Sequence, residues 1–319
     1  MRISSIWKAK LGTGSFPAAR RLAVAAVALG VIAGAAHGQQ GAPPSGLPAA
    51  GVSVNLNITP KRLILDRGSR SGTVYIFNQG NAPASFDITL GERVMMPSGE
   101  IKPIAEARAD PQLRPIADRL SSAQSLLVAT PRRVLLAPGK GQTIRVRASQ
   151  PPAGATEHRT HLTVTTVPPR DAGVTAEQAQ AQQSGRLSFR ITSVFGLSIP
   201  VFVRSGPVDA RGAIENVRSS FANISPDGTS PPVRTPVLLL DIRRLGSSSL
   251  FGNLEVKGAR GREDIGAARG VGVYAEIDRR SMQIPLRRSM RPGEQLTITF
   301  TDDDASPGQV IAKSLFSGG

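Results

Sequence analysis

The chain contains no cysteine. Disulfides, thiol nucleophiles and cysteine-ligated metals are therefore excluded, and stability has to come from packing alone. Histidine is scarce, with three residues in 319. Aromatic residues make up only 4%. Basic side chains scattered among strand-like segments, with no aromatic platform beside them, do not describe a nucleic-acid surface. No Gly-x-Ser-x-Gly, Walker or Gly-x-Gly-x-x-Gly pattern occurs, and no clustered acid–base pair is visible. The expectation is a protein that is not an enzyme and needs no cofactor or metal.

Long apolar runs are also missing, apart from Leu22–Ala36 near the start. That run is shorter than the about 20 residues a membrane span requires. Arg2, Lys8, Lys10, Arg20 and Arg21 precede or open it, and Ala36-His37-Gly38 supplies small residues after it. This is the layout of a cleaved signal peptide over residues 1–38. The competing reading is an uncleaved N-terminal anchor. Removing residues 1–38 takes away those five positive charges and no acid, so the net charge of +16 becomes +11. No stable membrane insertion is expected after cleavage.

The rest of the chain has many turns and aliphatic strands, with 33 Gly and 25 Pro. Residues 39–51 read as a flexible lead. From Val52 the pattern alternates: Val52, Val54, Leu56 and Ile58 share one face, with Ser53, Asn55 and Asn57 on the other, the period of a half-buried strand. Further strands are expected at Leu63–Leu65, Thr73–Phe77 and Ala84–Leu90. Residues 95–125 are less regular, with a short helix predicted near Ile116–Ser125. "SLLVATPRRVLLAPGKGQTIRVRA" reads as three strands separated by turns, and "HRTHLTVTTVPP" as a fourth, stopped by Pro168-Pro169. His158 and His161 form His-x-x-His, but positions three apart on a strand point to opposite faces, so surface histidines are expected rather than a metal site. Residues 170–186 are polar, low in complexity and read as a mobile loop.

The longest alternating run follows. Leu187, Phe189, Ile191, Ser193, Phe195, Leu197, Ile199, Val201 and Val203 occupy one face, and eight of these nine are apolar. The run is about twice or more the usual strand length of 5–6 residues. If it lies at a sheet edge it is an aggregation hazard unless a partner covers it. A second set of strands is expected after Ser205-Gly206-Pro207, at Val237–Ile242, Leu254–Val256, Gly272–Ile277, Met282–Leu286, Leu296–Phe300 and Val310–Leu315. Turns are expected at Leu245–Ser249, Arg291–Glu294 and Asp302–Gly308.

Taken in order, "TPKRLIL", "VYIFNQGN", "TPRRVLLAPGKGQTIRVRA", "VTTVPP", "FGLSIPVFVR", "LLLDIRRLGSSSLFGNLEV" and "GVYAEIDRRSMQIPL" resemble the periplasmic chaperones of chaperone–usher pilus assembly. The resemblance covers roughly residues 52–318. It implies an all-β fold of two immunoglobulin-like β-sandwich domains in an L-shaped arrangement, at 52–204 and 207–319. It also implies a periplasmic location and two partners, a pilin-like subunit and an outer-membrane usher. The strand Leu187–Arg204 would complete the subunit's unfinished sandwich by strand addition, with Leu187, Phe189, Ile191, Ser193 and Phe195 at the donor positions. Arg62 matches one of the family's two basic residues that hold the subunit's C-terminal carboxylate. Pro200 stands where the second is expected, leaving Arg62 to act alone or with Lys61 or Arg190. Glu157, Arg204 and one of Asp302, Asp303 and Asp304, taken as Asp303, match the family's interdomain salt bridge. A homodimer that caps its own open strand is a further partner state. The competing reading is a surface-associated structural or adhesive β-sandwich protein that keeps this strand paired internally.

Overall fold

Alternation of apolar and polar residues builds nearly every element of the computed structural model, which describes residues 55–150, 156–168, 194–258 and 262–318. The signal segment, the lead, the loop 170–186 and residues 187–193 lie outside the described residues. Two β-sandwiches follow one another along the chain.

The first sandwich packs two sheets. One has the order β1 (Leu56–Thr59), β3 (Ser71–Asn78), β9 (Gly141–Ala148), β7 (Leu127–Thr130). The other has the order β2 (Leu63–Leu65), β11 (Gly196–Arg204), β10 (Glu157–Val167), β4 (Ala84–Gly91), β8 (Arg133–Leu136). Inward residues at alternate positions, such as Val74 and Ile76 on β3 and Ile144 and Val146 on β9, are fully buried between the sheets. β7 and β8 are nearly continuous in sequence yet pair in different sheets, with β9 and β4 respectively. Pro131 lies between them, and a residue without a backbone N–H suits a place where ladder pairing stops.

The second sandwich joins β12 (Gly212–Ile224), β13 (Val233–Arg244) and β16 (Arg279–Pro285) in one sheet. The facing sheet has the order β15 (Glu263–Val273), β14 (Leu250–Gly258), β17 (Gln295–Asp302), β18 (Val310–Ser317). Leu238, Leu240, Leu254, Ile298 and Phe300 form its core. The sequence reading missed β12, whose residues are all partly or fully exposed and so show no clean apolar face. The strand expected at Gly272–Ile277 overlaps the observed β15 only at Gly272 and Val273; most of β15 lies earlier, and Ile277 closes a turn onto the Tyr274 carbonyl.

Between β4 and β7 the chain makes a small lobe. A hairpin of β5 (Arg93–Met95) and β6 (Ile101–Pro103) leads into α1 (Ile104–Ala109) and α2 (Arg114–Asp118). The lobe has its own small core of Val94, Met96, Ala107 and Ala117. The single helix expected near Ile116–Ser125 is thus two shorter helices placed earlier. Among the described residues no helix is long and apolar enough to cross a membrane.

Candidate functional site

β11 is the element on which the site is built. Along one edge it pairs antiparallel with β10, from Glu157↔Arg204 to Thr165↔Gly196. Along the other it pairs in parallel with β2, but only over Val201–Val203. Its first half, from Gly196 to Pro200, therefore has no strand on that second edge among the described residues. Backbone N–H and C=O groups on such an edge are available to another chain.

The odd-numbered face changes environment along this strand. Val203, Val201 and Ile199 are buried in the first core, and Leu197 packs partly against it. Phe195 is 55% exposed, with Val194 beside it at 56%. The face that fills the protein's own sandwich thus continues outward as exposed apolar surface. Phe195 is held in strand-like register by a main-chain donation to Thr166 Oγ1 of 2.9 Å and by the Thr166 N–H donating to its carbonyl at 2.8 Å. Of the expected donor residues, Phe195 is placed here. Leu187, Phe189, Ile191 and Ser193 lie outside the described residues, as does Arg190.

The far end of β11 enters a buried charge cluster between the sandwiches. Arg204 Nε donates to Glu157 Oε2 at 2.9 Å, and its Nη1 and Nη2 donate to Asp304 at 3.1 and 2.6 Å. Glu157 also accepts the Ser249 N–H from the second sandwich at 3.1 Å. Glu157 and Arg204 meet because they are register partners across β10 and β11. The third member is Asp304, which corrects the choice of Asp303. Asp303 is exposed, and its N–H bonds the Phe251 carbonyl. β17 ends at Asp302, whose carboxylate accepts the N–H groups of Asp304 and Ser306. That local turn swings the Asp304 carboxylate inward.

Arg62 belongs to the same cluster rather than to an open cleft, so the structure does not present it as a free carboxylate anchor. Its Nη2 donates to Asp304 Oδ2 at 2.5 Å and its side chain is 10% exposed. The guanidinium lies 4.1 Å from the Phe202 ring centroid and 4.4 Å from that of Phe251, a cation stacked between two aromatic faces. Burial pulls its pKa below the ordinary arginine value, and Asp304 opposes that shift. Its Nε and Nη1 are buried without a hydrogen-bond partner.

A second buried cluster was not anticipated from sequence. Arg159 forms an ion pair with Glu276, which also accepts the Met95 N–H at 2.8 Å. Arg159 donates to the Arg93 carbonyl at 2.9 Å and to His161 Nδ1 at 3.1 Å. Its guanidinium stacks 4.2 Å from the Tyr274 ring centroid. Burial first, and the neighbouring charge of Arg159 second, push the His161 pKa down to about 2, so the ring is neutral. His158 is buried as well, with Nδ1 at 2.8 Å from Ser121 Oγ. The expectation of surface histidines fails because both faces of this end of β10 are covered, with Ser121 of the lobe's return segment against His158 and Tyr274 of the second sandwich against His161. Among the described residues no group of His, Asp and Glu is arranged to hold a metal.

No protein-family model and no curated protein sequence matches this chain. Solved structures of similar chain course are found. The E. coli chaperone DraB is 13% identical, with 83% of this chain and 96% of that one covered and a TM-score of 0.39. The Pseudomonas aeruginosa CupB2 chaperone is 11% identical, with 82% and 99% covered and a TM-score of 0.39. A chain in the complex of the Salmonella enterica SafA pilin with the SafB chaperone is 11% identical, with 84% and 98% covered and a TM-score of 0.40.

Proposed function

We propose that this chain is an exported, periplasmic assembly chaperone that binds a pilin-like subunit through β11 and passes it to an outer-membrane usher. The observation that carries this reading is the open edge at Gly196–Pro200, continuous with an apolar face that emerges from the core at Phe195. A subunit lacking one strand gains main-chain hydrogen bonds from such an edge and pockets filled by its alternate side chains. Leu187, Phe189 and Ile191 extend the same face in sequence. Each such side chain stabilises a complex by about 1.5–3 kcal/mol when fully buried. No nucleotide or metal is needed, because exchange for the next subunit's own strand releases the cargo. With Arg62 enclosed and proline at position 200, exposed Lys61, whose Nζ bonds only Asn57 Oδ1 among the described residues, is the basic group at this end that remains open to a subunit carboxylate.

The test is co-expression with a pilin-like subunit. Phe189→Glu with Ile191→Glu should leave the circular dichroism of the chaperone unchanged and abolish co-purification of the subunit. Undiminished co-purification overturns the strand-addition reading. Slow hydrogen exchange throughout 187–199 in the free protein would instead favour a surface protein that keeps this strand internally paired.

A further inference from the structure

The two sandwiches are joined covalently by the short linker after Arg204, and interfaces between domains of one chain ordinarily permit relative motion unless they are large and apolar. Here the described residues of both sandwiches belong to one compact unit. The Glu157–Arg204–Asp304 cluster is one reason. The inserted lobe, residues 92–126, supplies a separate set of contacts at four chemical levels.

Its apolar level is Met95, 4% exposed, which is part of the second sandwich's core cluster, with Ile101 and Ile116 packed against the same cluster. The charged level is Glu276 of the second sandwich, 1% exposed, which accepts the lobe's Met95 N–H while pairing with Arg159 of β10. The main-chain level is the Ser281 N–H donating to the Pro97 carbonyl at 2.8 Å. At the rim, Arg119 grips Asp278 with two hydrogen bonds of 2.6 and 2.9 Å. The lobe is rooted as well as docked. Its return segment lies along β10, where the Arg159 N–H donates to Ser121 at 2.8 Å and the Ala123 N–H donates to Arg159 at 3.1 Å.

We propose that residues 92–126 act as an interdomain brace that fixes the two sandwiches relative to each other independently of the Glu157–Arg204–Asp304 cluster. Rotation about the linker would have to break the lobe's Arg119–Asp278 pair and its Met95 N–H bond to Glu276; the adjoining Arg159–Glu276 pair, which β10 supplies, would part with them and leave an uncompensated buried charge. It would also withdraw Met95 from an apolar core. Two attachments that do not share a residue restrain a hinge more than either alone. Phe202 and Arg204 of β11 sit within this interface, so the brace also holds the strand's open edge in one position. The proposal does not depend on what that edge binds.

The absence of native cysteine makes the test direct. Nitroxide labels at Thr73→Cys and Lys313→Cys, both exposed, place one probe on each sandwich for pulsed electron–electron distance measurement on the signal-free chain. The parent protein should give one narrow distance distribution. Glu276→Gln should broaden it. Arg119→Ala with Ile101→Ser, which alters side chains at the margin of the contact and no fully buried core residue, should broaden it too. Asp304→Asn alone should leave it narrow. An unchanged distribution in the Arg119→Ala, Ile101→Ser protein, with native circular dichroism, overturns the brace. Broadening by Asp304→Asn as large as that of the lobe variants overturns its independence.

Discussion

Asp304 and Asp303 are adjacent, chemically identical and energetically opposite. Asp304 Oδ2 receives Arg62 at 2.5 Å and Arg204 at 2.6 Å, and Oδ1 receives Arg204 at 3.1 Å, with the side chain 4% exposed. Asp304→Asn keeps the shape and removes the charge. Arg62 then has no ion-pair partner, and Arg204 retains Glu157 alone. Each hydrogen bond to a charged group contributes about 1.5–3 kcal/mol, and removing one partner of a buried pair costs about 3–5 kcal/mol. The lower end is expected, because asparagine still accepts a hydrogen bond. At about 2 °C per kcal/mol for a chain of this size, Tm should fall by about 6 °C. Asp303→Asn alters an exposed group and should stay within about 0.5 kcal/mol. Thermal and urea unfolding of both variants, followed by far-ultraviolet circular dichroism, measures the difference. Equal losses, or a larger loss for Asp303→Asn, would refute the assignment of Asp304 to the interdomain cluster.

Two further outcomes follow from the same structure. His161 titrates near its ordinary value of 6.5 in the unfolded chain and near 2 in the folded one. The unfolded state thus binds the extra proton between these values, and stability falls on acidification through that window by about 1.4 kcal/mol per pH unit. His161→Gln should remove this slope between pH 6 and 5 in urea titrations, and an unchanged slope would count against a buried neutral ring. Gly246, in the turn between β13 and β14, leaves no room for a Cβ against the Asp209 carbonyl of the linker. Gly246→Ala should therefore displace the linker and lower Tm, whereas Gly139→Ala, with open space at its Cβ but a φ of +67°, should show only the milder backbone cost of a left-handed residue.

The strands whose one face is wet and other face dry were readable in advance. Leu63–Leu65 is β2 as expected, and β3 and β4 differ from expectation by a residue or two at their ends. β10 defeated the same rule. All of Glu157 to Leu162 is buried, because tertiary contacts cover both faces, so the two histidines read as surface residues. β12 defeated it in the opposite sense, since neither face is fully buried.

Sequence alone determined the all-β architecture, the succession of two sandwiches and the alternation from Phe195 to Val203, because these follow from a period of two read over neighbouring residues, whereas the emergence of that face from the core at Phe195 is set by tertiary packing. The pairing of Glu157 with Arg204 came from resemblance, and register across β10 and β11 explains it. Tertiary structure alone decided that Asp304 rather than Asp303 closes the cluster, that Arg62 is enclosed by Phe202 and Phe251, and that Arg159 meets Glu276. The last two residues are 117 positions apart. A contact of that kind leaves no local pattern, since it depends on where two sandwiches and an inserted lobe come to rest against one another.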